Sequence, residues 1–434
     1  MGLLDELRGA RWFGGKSRTI REVRVVDRAC WVDDAEVCLV EVHYEAGSPD
    51  AYVLAERLDD PPVARLLLEH FRGKSLVTEA GGTLAFTPTH LFDGVASTNT
   101  EPIALMRGEQ SNTSVRFGDA LMLKLFRRLQ FGPNPDVEVG FFLTEHTHFR
   151  GTPAVVGSID YVSPDGARAS LALLQRFERN RGDAWTTTLQ RLAGVVDGAD
   201  AGESIEAVIR LAKATAELHV ALAGGSGDFA AELIEDGDVV QWRQAIIDEV
   251  QLAVDALARR EIRIDAATLM RRAEGIGALN GALKTRHHGD YHLGQVLERD
   301  DGSFVIIDFE GEPSKPLALR REKRSPLRDV AGMLRSFDYA RNAALRAGDA
   351  LDPDRVRRAR DWHSRVRQAF LGAYLGAVRH DAPRLLPADA ETPLAALELE
   401  KAAYEVLYEV NNRPDWLPIP LAALAALQGS VTLS

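Results

Sequence analysis

Through roughly the first 180 positions the apolar residues come in short, strand-like runs, and afterwards most recur at spacings of three and four. The runs VRVVD, EVCLVEVHY and AYVLAERL, broken by turn residues, predict strands, and Pro61-Pro62 introduces a helical stretch, VARLLLEHF. Gly73 to Pro102, rich in Gly, Thr and Ser, reads as one or two further strands and a linker. From Ile103 the pattern predicts a strand, a polar turn from Glu109 and Gln110 through Ser111, Asn112, Thr113 and Ser114, and a second strand, Leu121 to Phe126, carrying Lys124. Asn134 or Asp136 is placed to cap a helix whose first turn holds Glu138. Leu171 to Phe177 has the composition of a buried strand. Beyond it, SIEAVIRLAKATAELHVAL, QWRQAIIDEVQLAVDALARR, AATLMRRAEGIGALNGALK and AALELEKAAYEVLYEV all carry helical spacing. Another helix begins near Arg328, with Asp329 as a capping or hydrogen-bonding residue, and His219 within the first helical run is expected to be structural.

One stretch breaks the helical pattern. Arg286 to Glu310 reads RHHGDYHLGQVLERDDGSFVIIDFE: a polar turn, a short apolar run, a charged turn with a glycine, and an apolar run that stops on Asp308. This is the pattern of a hairpin with carboxylates at Asp290 and Asp308 on either side and the amide of Gln295 between them. Phosphoryl transfer asks for a carboxylate that takes the proton of an attacking hydroxyl and for oxygen ligands that hold magnesium. Asp290 suits the base, and Gln295 and Asp308 suit the metal. Asp is also common in turns for local reasons, so the inference rests on the combination.

His288, Gly289, Asp290, His292 and Gln295, with Ile307-Asp308-Phe309 downstream, resemble the catalytic and metal-binding motifs of the aminoglycoside phosphotransferase-like kinases. Gln295 stands where that group more often has Asn, and it still offers a carbonyl oxygen. The resemblance implies an α+β, bilobal, protein-kinase-like fold. It makes Lys124 the phosphate-binding lysine and Glu138 its helix partner, with Ser111, Asn112, Thr113 and Ser114 near the phosphates. That turn contains no glycine, so it is not a glycine-rich loop. Gln175 and Phe177 fall at the expected hinge between lobes, where backbone groups would read adenine.

Composition narrows the partners. A length of 434 residues predicts two or three packed units, and contents of 45% hydrophobic and 27% charged residues are those of a soluble globular protein. The formal net charge of −12 argues against nucleic acid or an anionic membrane surface as a partner. The two cysteines, Cys30 and Cys38, form neither a zinc set nor a disulfide framework. The opening MGLLDELRGARW lacks the layout of a signal peptide or a myristoylation motif, and no run approaches the ~20 apolar residues of a membrane span. A cytoplasmic location is expected.

Five segments point to a narrower group. RWFGGKSR, GEQSNTSVRFGDALMLKLFRRL, HHGDYHLGQVL, IIDFEGEPSKPLALRREKRSPLRDVAGMLRSFDYA and YEVNNRPDW resemble, in this order, the bacterial maltokinase-like kinases. That resemblance implies an N-terminal cap subdomain (1–95), a nucleotide-covering lobe (96–177) and a helical lobe (178–434) with the catalytic loop and acceptor site. It implies ATP and Mg2+ as cofactors and a small sugar as acceptor. Glu405, Glu409, Asn412, Asp415 and Trp416 are the acceptor candidates, with an indole for a ring face and carboxylates for hydroxyls or an ammonium. The carboxylates favour glucosamine, phosphorylated to the 6-phosphate, because an opposite charge stabilises an ammonium. The resemblance alone favours maltose and maltose 1-phosphate. A pseudokinase that binds nucleotide or sugar without turnover would have lost Asp290, Asp308 or Lys124, and all three are present. An antibiotic-modifying kinase of the same superfamily is disfavoured by the N-terminal segment.

Overall fold

The computed structural model describes residues 3–32, 34–96, 100–106, 111–346 and 352–429. The chain divides into two compact units, 1–179 with 314–320, and 180–313 with 321–434.

The first unit is built on sheet. Helix α1 (Leu3–Gly9) precedes an antiparallel three-stranded sheet of β1 (Ile20–Val32), β2 (Ala35–Tyr44) and β3 (Asp50–Ala55). Strand β2 changes its buried face midway. Ala35, Val37 and Leu39 alternate into the main core, whereas Val40, Val42 and Tyr44 alternate into a smaller core with Leu7, Phe13 and Tyr52. Helix α2 (Pro61–His70) starts at the predicted proline pair, whose fixed φ suits the first helical positions. Then come β4 (Ser75–Val77), β5 (Thr83–Pro88), α3 (Phe92–Ala96), β6 (Ile103–Leu105), β7 (Asn112–Phe117), β8 (Leu121–Phe126), α4 (Pro135–His146), β9 (Val155–Val162) and β10 (Arg168–Arg176). Their strands form one sheet in the order β4-β5-β9-β10-β8-β7-β6, with every neighbouring pair antiparallel. The segment expected as a separate cap, 1–95, therefore contributes two strands to this sheet. Its Leu67 and Phe71 also share the main core with Leu121 and Leu174.

The polar stretch expected as a turn is different in the structure. Asn112, Thr113 and Ser114 belong to β7, and the tight turn falls at Gly118 to Ala120, where Ala120 N donates to Phe117 O at 3.1 Å. Polar side chains at 112–114 mask an alternation that continues through Val115 and Phe117 into the core. Glu109 and Gln110 lie outside the described residues.

The second unit is mostly helical, with α5 (Ala184–Val196), α6 (Gly202–Ala223), α7 (Asp236–Ala258) and α8 (Ala266–Ala273). Two small antiparallel pairs interrupt it: β11 (Glu232–Leu233) with β12 (Leu283–Lys284), and β13 (Val296–Glu298) with β14 (Phe304–Ile306). After the short α9 (Leu317–Arg320) of the first unit come α10 (Leu327–Arg346), α11 (Pro353–Asp381), α12 (Glu391–Asn412) and α13 (Pro418–Gly429). His219 is fully buried on α6, with Nδ1 2.8 Å from the Tyr374 hydroxyl and Nε2 3.2 Å from Asp329. Among the described residues, no helix is long and apolar enough to cross a membrane.

Candidate active site

The predicted hairpin is present. Val296 pairs with Ile306 and Glu298 with Phe304, and the charged turn closes through Gly302 N donating to Arg299 O at 2.9 Å. Asp308 follows the second strand with φ at +68°, a left-handed conformation that Asp tolerates better than most residues. The backbone thus turns sharply where a carboxylate is presented.

The loop before the hairpin is held by a buried carboxylate. Asp329, on the first turn of α10, accepts the backbone N–H of His288 at 2.7 Å and of Gly289 at 2.9 Å. Burial alone would raise its pKa, but the His219 hydrogen bond and the surrounding imidazoles hold it well below the ordinary carboxylate range. Gly289 sits at φ +88°, and a Cβ there would meet Gly311 Cα at 3.3 Å. His288 Nε2 donates to Ile307 O at 2.9 Å, and its Nδ1 accepts from Asp290 N at 3.4 Å. One imidazole therefore spans from the residue before Asp308 to Asp290 itself. Farther along, Gly332 of α10 comes so near Tyr291 that a Cβ would lie 2.5 Å from the Tyr291 carbonyl oxygen.

Two groups meet the predicted catalytic residues. Gln295 Nε2 donates to Asp308 Oδ2 at 2.8 Å, and Ile307 N donates to Gln295 O at 3.0 Å. A carboxylate oxygen of Glu310 lies within 4.8 Å of one of Asp308. The carboxylate oxygens of Asp308 and Glu310 are the hard donors that Mg2+ takes, and Gln295 carries a carbonyl oxygen on the amide that touches Asp308, so these residues fit that ion. Glu310 was missed by sequence reading, although it follows Asp308 by two residues in the same motif. On the other side, Lys401 of α12 places Nζ 3.4 Å from Asp290 Oδ1 and 3.1 Å from Glu312 Oε1.

Within the first unit, the alternation of β8 aims Lys124. Leu121, Leu123 and Leu125 face the main core, so Lys124 and Phe126 take the other face, where Phe126 packs with Val155, Leu173 and residues Val137 and Phe141 of α4. Asn134 caps α4, accepting Asp136 N at 2.8 Å, and Asp136 receives Lys124 Nζ at 2.8 Å. Both charges are buried. Asp136, which sequence reading placed only as a cap, thus pairs with the lysine from the same first helical turn that carries the expected Glu138. Ser114 is fully buried and directly opposite Lys124 in the ladder, and Thr113 Oγ1 accepts Arg127 Nε at 2.7 Å. Gln175 is the penultimate residue of β10, opposite Met122, and Phe177 N donates to Ala120 O at 2.9 Å, with the Arg116 guanidinium 4.3 Å over its ring. Both lie just before the boundary at residue 179.

The acceptor candidates are partnered rather than open. Glu405 Oε2 receives Arg335 Nε and Nη2 at 3.0 and 2.7 Å, and burial keeps its pKa raised despite that guanidinium. Glu409 receives Tyr339 OH at 2.9 Å and Arg413 through two bonds of 3.0 and 2.7 Å. Trp416 stacks on Tyr339 with centroids 6.0 Å apart and planes at 11°. Asn412 is exposed and bonds back to Tyr408 O, while Asp415 contributes its backbone carbonyl to Arg346. Glu409 and Trp416 are thus gathered around Tyr339, and Glu405 joins through Arg335. Lys401, Glu405 and Glu409 recur every four residues on one face of α12, from Asp290 to the aromatic pair.

No family model matches the chain. The chain is 30% identical over 332 residues to the glucosamine kinase of Mycolicibacterium smegmatis, covering 74% of this chain and 78% of that protein. It is 27% identical over 352 residues to the glucosamine kinase of Streptacidiphilus jiangxiensis, covering 79% and 77%. A solved glucosamine kinase in complex with glucosamine, ADP and inorganic phosphate superposes with a TM-score of 0.73 at 20% identity, over 98% of this chain and 99% of that one. At that identity the superposition shows the fold, and it is the α+β kinase-like fold expected from the motifs.

Proposed function

The chain belongs to the glucosamine kinase family, and on that premise we propose that it transfers the γ-phosphoryl group of ATP to the 6-hydroxyl of glucosamine, releasing ADP and glucosamine 6-phosphate. The observation that carries the chemistry is the fixing of Asp290 and Asp308 through one imidazole, His288, between a base loop and a metal-binding turn. Asp290 accepts the hydroxyl proton as the sugar oxygen attacks the γ-phosphorus and the bond to the β-phosphate oxygen breaks. Gln295 and Asp308, with Glu310, would hold Mg2+, which offsets phosphate charge. Lys124 binds phosphate oxygens, with Asp136 fixing its ammonium. Glu138 supports that lysine, and Ser111, Asn112, Thr113 and Ser114 line the nucleotide side. Gln175 and Phe177 border the adenine.

The acceptor lies along α12. Glu405, Glu409, Asn412, Asp415 and Trp416 border it, and Tyr339 and Arg335 join them because they orient both glutamates. An acidic wall favours a sugar bearing an ammonium. Maltose, the other acceptor considered, gains no support from these relatives.

The test is ATP consumption with magnesium against glucosamine, glucose, maltose and kanamycin, with the product identified by NMR. Glucosamine-dependent ADP release with phosphate on O6 is expected. Phosphate on the anomeric oxygen of maltose would overturn the acceptor, and inertness toward every sugar would overturn the activity.

A further inference from the structure

We propose that Lys401 is a positioning residue for phosphoryl transfer, clamping the Asp290 carboxylate to the segment that follows Asp308; this rests on the kinase reading above. Lys401 lies 111 residues from Asp290 in sequence, yet its Nζ is 3.4 Å from Asp290 Oδ1. Among the described residues, it is the only side chain bonded to that carboxylate. The other ligand of the ammonium, Glu312 Oε1 at 3.1 Å, sits four residues beyond Asp308. One cation therefore joins the base to the metal-binding segment.

The clamp is anchored. Glu312 is buried and also lies 3.6 Å from Arg328 Nη2, while Arg328 Nη1 donates to Glu400 Oε2 at 2.5 Å. Glu400 and Lys401 are neighbours on α12, so the helix grips the same network at two adjacent positions. A surface lysine would gain little from such contacts, but this side chain is only 20% exposed. Burial alone would lower its pKa, and Glu312 and Asp290 outweigh that, so the ammonium stays charged.

The consequence for the reaction is orientation. With Oδ1 engaged by Lys401, Oδ2 is the oxygen that takes the hydroxyl proton. When Asp290 becomes protonated, the ammonium keeps Glu312 as its counter-charge and is not left unpaired. Without the clamp, the Asp290 side chain can turn away from the attacking hydroxyl, and a misplacement of about 1 Å costs on the order of 100-fold in rate.

The experiment compares wild type, Lys401→Met and Lys401→Arg in steady state with ATP, magnesium and glucosamine, alongside thermal melts. Lys401→Met is expected to lose about 100-fold in kcat, with both KM values within about threefold of wild type. Lys401→Arg, which keeps the charge, is expected to recover about tenfold of that loss. A kcat within threefold of wild type in Lys401→Met would overturn the proposal. So would a loss seen only in KM, or an equal loss in Lys401→Arg. If Lys401→Met does not fold, Lys401→Gln replaces it under the same criteria. A wild type that phosphorylates another sugar refutes the glucosamine assignment alone, and the variant ratios are then read on that sugar. A wild type inert to all sugars refutes both.

Discussion

The carboxylate of Asp329 accepts the backbone N–H of Gly289 at 2.9 Å, one residue before Asp290. The same carboxylate serves His288 N and His219, so removing it leaves several buried donors without an acceptor. Asp329→Ala is expected to lower unfolding free energy by about 3 to 5 kcal/mol, measured by urea denaturation. Loss below about 1 kcal/mol would show that the loop is held by other means.

Acid should weaken the fold in a defined window. Burial pushes the His287 imidazole down from 6.5 to about 3, with Asp329 opposing the shift and Arg286, Arg324 and Arg328 aiding it. The unfolded chain therefore binds this proton first, and stability falls as pH drops from 6.5 toward 3. Asp329, depressed in the folded state, adds to the loss once pH falls below its unfolded value near 4. Unfolding free energies from urea denaturation at successive pH values between 7 and 4 should decline, by up to about 1.4 kcal/mol per unit from His287. His287→Gln should flatten the upper part of that decline.

Gly332 tests how tightly α10 supports the loop. A Cβ at this position would meet a backbone oxygen at 2.5 Å, which cannot rotate aside as a side chain would. Gly332→Ala is expected to cost about 1 to 3 kcal/mol and to reduce kcat by on the order of 100-fold. Retained kcat would mean that the loop and helix can part without moving Asp290.

The buried Lys124–Asp136 pair makes a different prediction. Removing one partner takes a charge-assisted hydrogen bond from the other buried charge, whereas removing both leaves no mismatched charge. Asp136→Ala and Lys124→Met should each cost about 3 kcal/mol, and the double variant clearly less than the sum. Additive losses in denaturation would refute the coupling. Lys124→Met should also raise the KM for ATP.

The hairpin, the Asn134 cap and the helices of the second unit were legible because each depends on local pattern. The contacts among His288, Asp290, Gln295 and Asp308 were open to expectation for the same reason: these residues lie in one stretch. What escaped was non-local. Asp136 meets Lys124 because β8 turns its even positions toward α4, a fact set by which face of the sheet is buried. Lys401 reaches Asp290 from a helix more than a hundred residues away, and the arginines that satisfy Glu405 and Glu409 come from another helix or the following turn. The polar side chains of β7 hid a strand, since composition outweighed an alternation only a few residues long.

Strand β5 lies along β9, from Thr83 opposite Val162 to Pro88 opposite Gly157. A gene shortened to begin after residue 95 would leave β9 with one neighbour and expose a border of unpaired N–H and C=O groups. Such a fragment would be prone to recruit strands from its own copies and precipitate. Residues 75–88 thus cover an edge of the sheet that would otherwise lie open.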